Sequence, residues 1–112
     1  MVVDDSSIMR KMLIKTLKDA GHEIIGEASS GNEAIEKYQE LNPDLVTMDI
    51  TMRGMDGISA AGEIIKINSD AKVLILSNLN EDKYRDKVKS VGAIGLLNKQ
   101  KTKEIVELIA GL

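Results

Sequence analysis

Four short apolar runs constrain this 112-residue chain more than any other feature: Met1 to Val3, Leu45 to Met48, Val73 to Leu76 and Ile94 to Leu97. Runs this uniform fit strands buried on both faces, the pattern of a parallel sheet rather than of a half-exposed antiparallel one. Each also stops beside a chemically useful group. The first ends at Asp4-Asp5, the second at Asp49 and the third at Ser77, and the fourth is followed two residues on by Lys99. If the runs are neighbours in one sheet, three carboxylates, a hydroxyl and an ammonium converge at its carboxyl edge, where sites of open α/β sheets form.

Helical patterns fill the intervals. Between Ser6 and Ala20, Ile8, Met9, Met12, Leu13 and Leu17 recur at helical spacing, with Arg10, Lys11, Lys15 and Lys18 on a basic outer face. Gly21 ends that helix and Ile24-Ile25 starts a short buried strand. Ala34, Ile35, Tyr38 and Leu41 mark a second helix over Asn32 to Leu41, closed by Asn42-Pro43-Asp44. A longer loop holding Gly54 and Gly57 precedes a third helix through Ile58, Ala61 and Ile65. Tyr84, Val88 and Val91 outline a fourth, and Ile105, Leu108, Ile109 and Leu112 a fifth. Five strands alternating with five helices imply an α/β fold: parallel strands need crossovers, and right-handed crossovers put helices on both faces.

The length suits one domain, residues 1–112, with no output domain appended. A net charge of -3 supplies no broad attraction to nucleic acid, and two tyrosines, Tyr38 and Tyr84, make no stacking platform. No apolar stretch approaches the roughly 18 residues of a membrane span, so no membrane insertion is expected, and no leader pattern opens the chain. The lack of cysteine excludes disulfides and thiolate metal sites and points to a cytoplasmic setting. His22, between a helix-ending glycine and a strand, reads as structural or exposed, and Met9 and Met12 as packing residues. Lys83, Arg85, Lys87 and Lys89 form either a solvated helix face or a recognition surface.

The polar edge carries the chemistry. Adjacent Asp4 and Asp5 can both bend toward one pocket at a strand end, although capping of the following helix is an equally good reading of those two alone. Asp49 has no helix directly after it to cap. Three close carboxylates repel one another unless a cation sits among them, and Mg2+ suits carboxylate, carbonyl and water oxygens. A carboxylate beside Mg2+, faced by Ser77 and Lys99, is a plausible phosphoryl acceptor, and the resulting acyl phosphate is labile enough for a transient signal.

The stretches Val2-Val3-Asp4-Asp5-Ser6, Met48 to Met52 through Met55-Asp56-Gly57, Leu76-Ser77, and Gly92 to Lys99 together resemble the receiver domain of bacterial two-component response regulators, in its single-domain form. That resemblance implies a flavodoxin-like, doubly wound (βα)5 sheet with strand order 2-1-3-4-5. It also implies phosphorylation of Asp49 by a partner histidine kinase, with Asp5, Asp49 and the Thr51 backbone carbonyl binding Mg2+ directly and Asp4 acting mainly through water. Ser77 would be the switch hydroxyl, Lys99 the cationic contact of the phosphoryl group, and the fourth helix, fifth strand and fifth helix the output face toward a downstream protein, in chemotaxis or a related setting. Such a protein is no enzyme beyond its own phosphorylation and dephosphorylation.

Three positions depart from the family pattern. Arg53 and Gln100 stand where receivers usually carry proline, the second of them commonly after a cis peptide, and Leu96 replaces an aromatic that swings inward on activation. The first strand is also short, with only three residues ahead of Asp4, so either the start lies upstream or ladder pairs are lost. Two other readings stay open: a receiver-like interaction module uncoupled from phosphorylation, and an aspartyl-phosphate phosphohydrolase. The latter generally needs a second aspartate where Thr51 stands.

Overall fold

The computed structural model describes residues 1–78 and 82–112, with only the backbone at Asp82. Five parallel strands, β1 (Val2–Val3), β2 (Glu27–Ala28), β3 (Val46–Asp49), β4 (Val73–Ser77) and β5 (Gly95–Asn98), form one sheet in the order β2-β1-β3-β4-β5. The helices are α1 (Ser7–Asp19), α2 (Gly31–Leu41), α3 (Gly57–Ile67), α4 (Arg85–Ser90) and α5 (Thr102–Ala110), with a 3-10 turn at Asp82–Tyr84 leading into α4. The parallel α/β sheet implied by the alternation is therefore present, with the strand order implied by the family resemblance.

Side-chain alternation along the strands divides the core in two. Val3, Met48, Val73 and Ile75 pack with Ala34 and Tyr38 of α2, Ala61 and Ile64 of α3 and Val88 of α4. Val2, Leu74 and Leu76 face the other way, against Leu17 of α1 and Ile105 and Ile109 of α5. Each of the first three helices is started by a hydroxyl or carboxylate acceptor: Ser6, Ser30 and Asp56 accept from the N–H groups of Met9, Glu33 and Ser59.

Two sequence expectations are corrected. The second strand is Glu27–Ala28, not Ile24-Ile25. Register pairs Val2 with Glu27 and Val3 with Ala28, so Ile24 and Ile25 lie level with positions ahead of Met1, where no β1 backbone meets them, and Ile25 is 41% exposed. Met12 is not a packing residue: it is 60% exposed and Ile8 69%. The apolar positions of α1 cover more of its circumference than the sheet and α5 can bury, and the stripe through Leu13 and Leu17 takes the inward place.

The amino end of the sheet is less filled. A cavity of about 330 Å3 opens there between Ile24-Ile25, Pro43 to Leu45 and Ile109. Thr47 Oγ1, which lines it, is buried without a hydrogen-bond partner.

Candidate acidic site at the carboxyl edge

At the opposite edge the sequence-predicted groups meet. Asp4, immediately beyond β1, and Asp49, the last residue of β3, are buried, while Asp5 is half-buried. Ligand atoms of the three carboxylates lie within 4.8 Å of one another. Lys99, one residue past β5, is buried too, and its Nζ donates to Asp4 Oδ2 at 2.7 Å and sits 3.0 Å from Asp49 Oδ2. Its backbone N–H donates to the Ser77 carbonyl at 2.7 Å, which seats Lys99 beside the buried end of β4. Adjacent strand ends thus deliver each group, and the order of the sheet makes them neighbours.

Each carboxylate has its own environment. Asp4 Oδ1 accepts from the Ser6 N–H at 2.9 Å, so Asp4 is held by both the helix start and the lysine. Asp5 Oδ2 accepts from the Arg53 N–H at 3.3 Å, which ties the β1–α1 turn to the loop after β3. Asp49 Oδ1 is buried with no partner. A buried carboxylate oxygen without a donor is costly in a protein, but suits a cation-binding atom. Among the described residues this is the one group of three or more potential metal ligands. Asp5 and Asp49, the exposed Thr51 with its carbonyl, and Asp4 fit a hard divalent cation such as Mg2+ in donor type.

The charges are unequal. Burial pushes the Asp49 carboxyl up to about 6, against the hydrogen bond and charge of Lys99, with Asp4 adding to the rise. Burial also works to lower the Lys99 pKa, but hydrogen bonds to Asp4 and then to Asp49 outweigh it and hold the ammonium above its ordinary range. One cation shared by the buried Asp4 and Asp49 leaves the site short of positive charge.

Three features escaped the sequence analysis. Gly57 opens α3 directly on the Asp49 backbone: a Cβ there would lie 1.8 Å from the Asp49 carbonyl oxygen, while its N–H donates to Ile50 at 2.8 Å. Arg10 is not simply part of the outer basic face, since Nη1 donates to the Asp4 carbonyl at 2.7 Å and Nε to Glu27 at 2.9 Å. A cation near a helix N-terminus runs against the helix dipole, and that was the available signal. A cleft of about 250 Å3, walled by Met9, Met12, Leu13 and Thr102, reaches Asp49 and Lys99 between α1 and α5.

The departures from the family pattern also have structural consequences. Arg53 uses the N–H that proline would lack, and so does Gln100, which donates to Asn98 Oδ1 at 2.8 Å. No peptide bond among the described residues is cis. Leu96 is 7% exposed in the core cluster that contains Val88, with Tyr84 packed against that cluster.

Known proteins resemble this chain in sequence and in fold. The family model for the response regulator receiver domain matches residues 1–110. The chemotaxis protein CheY of Thermotoga maritima is 51% identical over 81 residues, covering 72% of this chain and 68% of that protein. The CheY of Treponema pallidum is 38% identical over 115 aligned positions, covering 100% and 80%. Among solved structures, the CheX-CheY-BeF3-Mg2+ complex from Borrelia burgdorferi superposes with a TM-score of 0.92 at 31% identity, over 98% of this chain and 84% of that one. The response regulator domain of Thermotoga maritima CheB gives 0.88 at 32%, over 98% and 91%.

Proposed function

The chain belongs to the response regulator receiver family of two-component signalling, and from that premise we propose that it accepts a phosphoryl group on Asp49 from a histidine kinase and signals by protein contact. The observation that carries this reading is the pairing of a buried carboxylate, one oxygen of which has no partner, with a buried lysine at 3.0 Å. A carboxylate oxygen of Asp49 attacks phosphorus, an O–P bond forms, and the bond from phosphorus to the donor nitrogen or oxygen breaks as the leaving group takes its electron pair. Lys99 Nζ, already between Asp4 and Asp49, is in reach of a phosphoryl oxygen on Asp49, and Ser77 at the end of β4 is the hydroxyl that turns toward it. Asp5, Asp49 and the Thr51 carbonyl would hold Mg2+, with Asp4 acting through water, and the bound ion would offset charge on the phosphoryl oxygens. The Borrelia relative was solved with BeF3 and Mg2+, which supports the same chemistry here.

The cleft between α1 and α5 gives a donor access to Asp49, and exposed Ile8 and Met12 beside Lys11 and Lys15 suit docking of a kinase. Output runs through α4, β5 and α5 to a protein target. The CheY relatives favour a chemotaxis setting, and the net charge of -3 argues against direct nucleic acid contact. No described helix is long and apolar enough to cross a membrane. The protein turns over no substrate beyond its own phosphate; Thr51, where a phosphohydrolase generally has its second aspartate, argues against the enzymatic reading.

Mass spectrometry after treatment with acetyl phosphate and Mg2+ is expected to show one added phosphate, absent in Asp49→Asn. No adduct on the parent chain would overturn the proposal. The buried Leu96 favours one second reading, an interaction module uncoupled from phosphorylation, whose partner affinity is indifferent to phosphodonor.

A further inference from the structure

The two adjacent aspartates share a peptide bond, and that peptide is gripped from outside the site. Helical side chains lean toward the N-terminus, so Arg10 reaches back over the start of α1 to the end of β1. There its guanidinium forks, with Nη1 on the Asp4 carbonyl at 2.7 Å and Nε on Glu27 of β2 at 2.9 Å, and the side chain is only 16% exposed. The Asp4 carbonyl and the Asp5 N–H lie in one rigid plane, so holding the first fixes the direction in which Asp5 leaves the strand. The Asp4 carboxylate has holds of its own from Lys99 and Ser6, whereas the Asp5 carboxylate has the 3.3 Å bond from Arg53.

We propose that Arg10 is a positioning residue for the acidic site, setting the Asp4–Asp5 peptide so that both carboxylates face Asp49, an inference that rests on the reading of the cluster as a Mg2+ site. Stability alone is a poor account of the fork. Its ion pair is with a carboxylate 50% exposed, and such pairs contribute little to folding. A permanent cation near a divalent-ion site is also unfavourable by charge. Glu27 offsets that charge and turns the guanidinium across β2, leaving Nη1 to act as a hydrogen-bond donor.

Charge and positioning predict opposite signs, which makes the inference testable. Mg2+ is titrated calorimetrically into the full chain, into Arg10→Met and into Arg10→Lys. Removing a nearby cation would by itself tighten Mg2+ binding, whereas loss of positioning weakens it. The expected result for Arg10→Met is a dissociation constant raised about tenfold, the usual scale for groups that orient metal ligands. Arg10→Lys, which keeps the charge but not the fork, is expected to bind Mg2+ at least as weakly as Arg10→Met. Binding in Arg10→Met as tight as the parent's, or tighter, overturns the positioning role alone. No Mg2+ uptake by the parent chain overturns the Mg2+ reading and this inference together. If Arg10→Met does not fold, Arg10→Gln carries the test: it also removes both the cation and the fork, and Mg2+ binding there as tight as the parent's likewise overturns the role.

Discussion

The two ends of the sheet differ in how completely their polar groups are matched. At the carboxyl edge the acidic side chains are held from several elements at once: Asp4 by Lys99 and Ser6, Asp5 by Arg53, and Asp49 by Lys99. At the amino edge Met1 and Val2 border a cavity of about 330 Å3 with Ile24 and Ile25, and buried Thr47 Oγ1 has no partner. Both ends carry an unsatisfied buried oxygen, but only that of Asp49 is surrounded by further ligands. Of the two unsatisfied oxygens, the one on Asp49 is therefore a candidate binding atom.

The contrast is broken most severely at Gly57. A methyl group there meets the Asp49 carbonyl at 1.8 Å, and backbone on both sides must move. Gly57→Ala is expected to destabilise the protein by about 3 kcal/mol in urea unfolding and to reduce Asp49 phosphorylation, since the shift displaces the acceptor itself. Stability within about 0.5 kcal/mol of the parent would show that α3 does not buttress the site.

Asp49→Asn should move stability the other way. The folded-state pKa of Asp49 is raised to about 6, mainly by burial, so between the unfolded value and about 6 the folded protein binds more protons than the unfolded chain. Stability therefore falls as pH rises through that window, and the ionised carboxylate is a cost at pH 7.5. Asparagine removes the cost and leaves Lys99 paired with Asp4. In metal-free buffer the variant should be more stable by about 2 kcal/mol at pH 7.5, with the gain fading as pH falls toward about 4.5. A gain independent of pH would show that the burial cost is not electrostatic.

The smallest expected effect sharpens the other end. Four apolar residues added ahead of Met1 would continue β1 between Ile24 and Leu45 and occupy the cavity. The melting temperature should rise by about 5 °C, which corresponds to about 1 kcal/mol. Equal stability would show that the cavity does not accept a strand.

Much of the site was legible in the sequence because each site residue sits at or just beyond a strand end, and apolar runs locate strand ends within a residue or so. Asp4, Asp5, Asp49, Ser77 and Lys99 all fall where those runs place them. The second strand was misplaced for a physical reason: Ile24-Ile25 has the better apolar pattern, but pairing depends on having a neighbour, and β1 offers one only to Glu27 and Ala28. Met12 was misplaced because helical period gives an apolar face without saying how much of it the sheet can cover.

The sequence by itself determined the alternation of elements, the parallel sheet and the set of groups at its carboxyl edge, since these depend on patterns within contiguous stretches. Only the tertiary structure decided which of those groups are paired. Lys99 and Asp4 are separated by 95 positions and meet through sheet order and register. The same holds for the fork of Arg10, the seat of Gly57 on Asp49, and the N–H groups of Arg53 and Gln100 at positions where the family pattern has proline. Contacts of this kind join separate elements or fix a turn between them, and their energies depend on distances and burial that no local pattern encodes.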